Sequence, residues 1–249
     1  MKNLLISVGI LLATISHIFA QNDTMYVMKN GVVINKQSVN PADVDSIIFY
    51  APQVTALTDA DGNVYNTITI GTQVWMSENL KTTKFSDGTD IPLVTGNSEW
   101  GSLTTPAYCW YENDEETYKN LYGGYYTWFA VNTGKLCPAG WHVPTREEWA
   151  TLIDFLGGES VAGGKLKATG TEYWNSPNTD ATNESGFSGL PGSQRPNIFS
   201  TLGNNGRWWS NSESTSSSAH AYVLYHDEGV IRRNSTTKRN GLNVRCIKD

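Results

Sequence analysis

The sequence predicts an α+β domain in which two short helices stand beside antiparallel strands and long loops, preceded by a small β-rich segment. Three observations predict it. Leu136 to Gly158, LCPAGWHVPTREEWATLIDFLGG, carries a complete set of helix start and stop signals. The last third of the chain alternates apolar and polar residues or carries β-formers. Between Gly157 and Ser200 the chain is rich in Gly, Asn, Ser, Thr and Pro, which indicates structured loops more than regular elements.

In chain order, Met1 to Ala20 has the layout of a secretory signal peptide. Lys2 leads into an apolar core from Leu4 to Ile15, and the small residue Ala20 precedes a cleavage point before Gln21. MYVMKNGVVINKQ reads as a hairpin turning at Asn30-Gly31, DSIIFY (Asp45 to Tyr50) as a further strand, and Ala51, Pro52 and Gln53 as a linker. This segment, residues 21–53, is too small for much of a core.

The main domain, 54–249, opens with a hairpin in which TALTDADG turns into NVYNTITIG, followed by TQVWMSENL. The run Asp59 to Asn63 invites a calcium-loop reading, but Gly62 comes two places too early and the twelfth position is Ile70 instead of Glu, so it is read as a turn. Tyr125, Trp128 and Phe129 keep helical spacing in YGGYYTWFAV, and a short helix there would bury aromatics against the helix that follows. Thr145 and Glu148 form a T-x-x-E capping box, so that helix begins at Arg146. Trp149, Leu152, Ile153 and Leu156 form one apolar stripe, and Gly157 and Gly158 supply the stop. Arg207 to Ser210, Ala219 to His226, Val230 to Arg233 and Leu242 to Ile247 read as strands, with Asp227, Glu228 and Gly229 as a turn. In the last of them Leu242, Val244 and Cys246 share a face.

Export makes disulfides permissible. Three cysteines, Cys109, Cys137 and Cys246, allow one bridge and leave one thiol over. We assign the bridge to Cys137 and Cys246. A loop of that length contributes about 4 to 5 kcal/mol in the chain-entropy model and pins the last strand beside the capped helix. Cys109, in AYCWY, reads as a small buried hydrophobe, since no Lys, Arg or His adjoins it in sequence. The net charge of −6, with no basic cluster to offset it, argues against nucleic acid and anionic membranes as partners. No second apolar run of spanning length follows the signal segment, so the mature chain is expected to have no membrane insertion.

Several blocks, among them DADGNVYNTITIGTQVWMSENLKTTKFSDGT, YGGYYTWFAV, LCPAGWHVPTREEWATLIDFLGG, GRWWSNSE and GLNVRCIKD, resemble in content and order the Fibrobacter succinogenes major paralogous domain. The resemblance covers about Val54 to Asp249. It implies an exported bacterial domain with a C-type-lectin-like fold, distantly related to the formylglycine-generating-enzyme group. It implies no general activity, and the segment before it resembles the short leader of secreted Bacteroidetes-type proteins.

Trp208 and Trp209 are adjacent in a strand, so their side chains point to opposite faces. One is expected in the core. If the other is exposed, its indole beside Asn211 and Glu213, with Tyr222 nearby, offers a flat apolar platform with a polar rim for a sugar ring. The competing reading, favoured by the usual burial of large aromatics, has the loops cover both. Glu78, Asn79, Asp87 and Asp90 could offer oxygen ligands to calcium, but their spacing matches no calcium motif, and solvated carboxylates are the simpler reading. His220 and His226 would lie about 20 Å apart along a strand and cannot share a metal ion, and His142 in GWHVP is expected to fix a loop by hydrogen bonding. No catalytic residue, metal site or cofactor is assigned.

The function these observations predict is that of a non-catalytic binding module for a polysaccharide or glycoconjugate, secreted or held at the cell-envelope surface. Trp208, Trp209, Asn211, Glu213 and Tyr222 are its candidate site. Two alternatives stay open: an enzyme on the same scaffold, working through a thiol or through carboxylates, and a structural surface protein that binds other proteins.

Overall fold

The computed structural model describes residues 57–249 and the backbone of two strands, 24–29 and 32–38. The chain divides into two units, 1–54 and 55–249. In the first, β1 (Thr24–Lys29) and β2 (Val32–Ser38) pair antiparallel with Lys29 opposite Val32, the strand pairing expected of the hairpin. The signal segment over 1–20, the strand expected at Asp45 to Tyr50 and the linker lie outside the described residues.

The second unit runs β3 (Leu57–Thr58), β4 (Val64–Tyr65), β5 (Thr67–Ile70), β6 (Gln73–Met76), α1 (Asn97–Gly101), β7 (Tyr108–Cys109), α2 (Glu115–Tyr122), β8 (Tyr125–Tyr126), α3 (Trp128–Val131), β9 (Trp141–His142), α4 (Arg146–Phe155), α5 (Glu159–Leu166), β10 (Asn205–Thr215), β11 (Ser218–Tyr225), β12 (Ile231–Thr237) and β13 (Ile247–Lys248). The α+β expectation holds, and among the described residues every strand pair is antiparallel. Two sheets organise the unit, one in the order β5-β6-β13-β9 and one in the order β10-β11-β12.

Helix α4 is built as its sequence dictates. The Thr145 hydroxyl accepts from the Glu148 backbone N–H at 3.0 Å, and the Glu148 carboxylate accepts from the Thr145 backbone N–H at 2.8 Å. Trp149, Leu152, Ile153 and Leu156 are all buried, each contributing about 1.5 to 3 kcal/mol of apolar burial. Gly157 and Gly158, with φ of +103° and +94°, take the chain out of the helix through conformations that a side chain would strain.

Five α-helices are found among the described residues where two helices were expected. Helix α2 has an Asp114 cap accepting from the Thr117 N–H, and Glu115 and Glu116 in its first turn. Helix α5 contains Gly163 and Gly164, residues that read as breakers. A Cβ at Gly163 would stand 2.5 Å from the Gly229 carbonyl oxygen, and one at Gly164 would stand 2.2 Å from that of Asp180, so close packing selects glycine here despite its low helix propensity. The helix expected across YGGYYTWFAV is a correction. Tyr125 and Tyr126 are strand β8, and only Trp128 to Val131 form a turn of helix. That turn packs on β10 and β8, and Trp128 and Trp149 belong to different apolar clusters.

The last strand is shorter than expected, because residues 242–246 thread through the core by single bridges from Leu242 to Tyr126 and from Asn243 to Trp208. The disulfide joins Cys137 to Cys246, with Cα atoms 6.0 Å apart. Leu242, Val244 and Cys246 face one cluster, yet Asn243 and Arg245 are buried as well. The three-stranded sheet is likewise covered on both sides. Trp208, Tyr222, Leu224 and Ile231 enter the cluster built on α4, whereas Trp209, Ala219 and Ala221 enter the cluster around the disulfide.

Candidate functional site

Beside the edge strand β12 lies a groove of about 470 Å³ lined by Gln194, Arg207, Arg233, Asn234, Ser235, Thr236, Thr237 and Asn240. Strand register explains its chemistry. Arg207 pairs with Val223, Asn234 with Ala221 and Thr236 with Ala219, which puts Arg207, Asn234 and Thr236 on one face of the sheet. The far wall is the segment around Gln194 and Asn240. Reciprocal backbone bonds between Arg195 and Gly241, at 2.9 and 2.8 Å, hold those two residues together.

The wall is anchored from inside by Arg195, which is fully buried. Its guanidinium donates to the carbonyls of Val94 at 2.9 Å and Thr95 at 2.7 Å and to the side chain of Asn97 at 3.2 Å, and it lies against the rings of Trp100 and Phe199. Sequence reasoning missed the groove. A signal was present: after Ile231 the strand Arg232 to Thr237 contains no apolar residue, which marks an edge strand with a solvated face.

The expected platform is a correction. Trp208 and Trp209 do point to opposite faces, but each is 0% exposed and each is fixed by its indole N–H, Trp208 to the Asn79 side-chain oxygen and Trp209 to the Tyr126 carbonyl, both at 2.8 Å. Around both tryptophans the sheet is covered by core, so neither indole reaches a ligand. Tyr222 is also buried, stacked on Trp149 at 4.5 Å and donating to the Arg146 carbonyl. Asn211 is half-buried, and its backbone N–H donates to the Pro144 carbonyl. Glu213 is ion-paired to Lys238 at 3.0 Å. The structure does not bring these five side chains together on one surface.

Of the carboxylates considered for calcium, those of Asp59, Asp61, Glu78 and Asp87 are occupied within the protein. Asp59 accepts from the backbone of Asp61 and Asn63 and from the Tyr65 hydroxyl, and Asp61 accepts from Thr82 and Thr83, which makes the Asp59 to Asn63 run a turn. Glu78 holds Asn66 and Lys81, and Asp87 holds Thr89 and Lys135. Asp90 is exposed in a single bridge with Lys84. The Asn79 oxygen serves Trp208 and Arg245 at once. Among the described residues no group of three or more His, Cys, Asp or Glu side chains is placed to hold a metal ion.

The sequence profile of the Fibrobacter succinogenes major domain matches residues 68–248. The chain belongs to this family. No curated protein and no solved structure matches it.

The only free cysteine of the major domain is Cys109, which is buried; burial pushes its thiol up to about 12, with Arg195 pulling the other way. His142 stands between two carboxylates, with Nδ1 2.6 Å from Asp249 and Nε2 2.8 Å from Glu148. Carboxylates against both ring nitrogens favour the form in which both carry protons, the imidazolium. Burial opposes that charge, and the hydrogen bonds to Asp249 and Glu148 outweigh it, so the His142 pKa is raised. A raised folded-state value means stability that is fully present below the unfolded pKa of about 6.5 and is lost as pH rises through the folded value. Melting temperature of the major domain is therefore expected to fall over this rise in pH, by less than about 1 kcal/mol in stability because the partners are partly exposed. In His142→Gln this part of the slope disappears; an unchanged slope in the variant would show that the ring carries no such linkage.

Among the described residues no helix of the major domain is long and apolar enough to cross a membrane.

Proposed function

We propose that this major domain is a secreted or surface-held binding module for a polysaccharide or glycoconjugate, and that the site is the groove beside β12. The observation that carries the reading is the groove's lining. Gln194, Asn234, Thr236 and Asn240 present amide and hydroxyl groups beside the Arg207 guanidinium, the donor and acceptor set that sugar hydroxyls require. The volume of about 470 Å³ lies within the range of small-ligand sites. The disulfide and the signal-peptide pattern of residues 1–20 favour an oxidising, extracytoplasmic address.

A redox enzyme is disfavoured, since Cys137 and Cys246 are joined and the Cys109 thiol is buried and protonated at neutral pH. Affinity electrophoresis through gels containing plant and bacterial glycans tests the binding reading. Retardation by at least one glycan is expected, with about thirtyfold weaker binding in the Asn234→Ala/Asn240→Ala double variant, the loss of two hydrogen bonds of about 1 kcal/mol each. Unretarded migration in every gel, or equal retardation of wild type and double variant, refutes it.

A further inference from the structure

Lys167, Arg195 and Arg245 are fully buried with no carboxylate in ion-pairing distance among the described residues, and every side-chain nitrogen of the three has a hydrogen-bond partner. Lys167 donates to the carbonyls of Thr179, Tyr225 and Glu228 at 2.7, 3.0 and 2.8 Å. Arg245 uses all three nitrogens, on Asn79, Phe187 and Ser188. Arg195 donates from its two Nη atoms to the carbonyls of Val94 and Thr95 at 2.9 and 2.7 Å and from Nε, at a longer 3.4 Å, to that of Asn197.

Arg207 is the exception. Its Nε is fixed by the Asn205 side chain at 2.8 Å, and Nη2 has only a long contact of 3.4 Å with the Tyr225 hydroxyl. Among the described residues Nη1 has no partner, and no carboxylate lies within ion-pairing distance of the guanidinium. Its charge is half-buried and held in place by Asn205, and it lines a groove that contains no Asp or Glu. A charge in that position gains most from an anion that arrives with the ligand, and the planar fork of Arg matches a carboxylate with two parallel hydrogen bonds.

We infer that the groove selects acidic glycans, with Arg207 clamping the carboxylate of a uronic acid residue while Gln194, Asn234 and Asn240 take its neighbouring hydroxyls. This inference rests on the glycan-binding reading and narrows it. Burial pulls the guanidinium's pKa below its ordinary value, with Tyr225 opposing; arginine remains a cation throughout the working pH range.

The test is calorimetric titration of the protein, in buffer containing EDTA to exclude metal bridging, with oligogalacturonate, its methyl ester, a neutral dextran oligomer and a sulfated galactan free of uronate. The acid is expected to bind at least about tenfold tighter than its ester, with the difference shrinking as salt is raised. Arg207→Gln is expected to erase the ratio without abolishing residual binding of the ester. Equal affinity of acid and ester overturns the inference and leaves the glycan reading standing; so does a preference for the sulfated galactan. A ratio that survives in folded Arg207→Gln removes Arg207 from the role. If no oligosaccharide binds, the glycan reading itself falls, and the inference with it. The acid-to-ester comparison uses only wild-type protein, so it decides the ligand class even where Arg207→Gln fails to fold; Arg207→Lys, which keeps the charge and loses the fork, then tests the residue, with reduced discrimination expected and an undiminished ratio counting against the clamp.

Discussion

Replacing Lys167 by methionine is expected to lower the folding stability of this domain by about 3 to 5 kcal/mol, as measured by urea denaturation with unchanged m. The side chain is fully buried, and its ammonium donates one hydrogen bond to each of three carbonyls, those of Thr179, Tyr225 and Glu228. Burial pulls its pKa down to about 8, so at pH 7 it still carries three protons for three acceptors. These carbonyls belong to the loop before residue 180, the end of β11 and the turn into β12. Methionine fills the volume but removes the donor that all three oxygens share. A loss under 1 kcal/mol would mean that water enters to replace the ammonium and that the lysine is dispensable to the loops.

The Cys137→Ala/Cys246→Ala variant is expected to lose about 4 to 5 kcal/mol, because the bridge spans 109 residues and its removal restores the freedom of that loop to the unfolded chain. Cys246 is followed by β13, which pairs with both β6 and β9. Reduction of the wild type should therefore loosen the centre of the β5-β6-β13-β9 sheet first, seen as early hydrogen exchange at Trp75 and His142. If reduced and oxidised protein melt within 1 °C of each other, the bridge contributes nothing to the equilibrium.

What was legible in the sequence was local chemistry with a fixed period or a fixed partner. The capping box at Thr145 and the apolar stripe of Trp149 to Leu156 act over a few residues, and each appears where the residues place it; the strands expected on either side of Asn30-Gly31 pair antiparallel. The choice of Cys137 with Cys246 also holds. Helix α2 could have been read from Asp114 and the two glutamates after it. Helix α5 could not, because its paired glycines make sense only against the backbone of residues 180 and 229. The same limit applies to the site. Strand periodicity put Trp208 and Trp209 on opposite faces, but whether a face meets water depends on what the other sheet and the loops cover. Arg207 shares a face with Trp209, yet one side chain is at the groove and the other in the core, a difference that strand periodicity does not carry.

Residues 194 and 195 divide two tasks between neighbours in the chain: Arg195 turns inward and fastens the segment to Val94, Thr95 and Trp100, while Gln194 turns outward into the groove. Because the fastening belongs to one residue and the lining to the next, substitutions at 194, and by the same logic at 240 across the Arg195 to Gly241 bridge, alter what the groove meets at a stability cost within about 0.5 kcal/mol. On the proposed reading of the groove, a frame of this kind lets ligand preference change through a handful of wall positions while the architecture stays put.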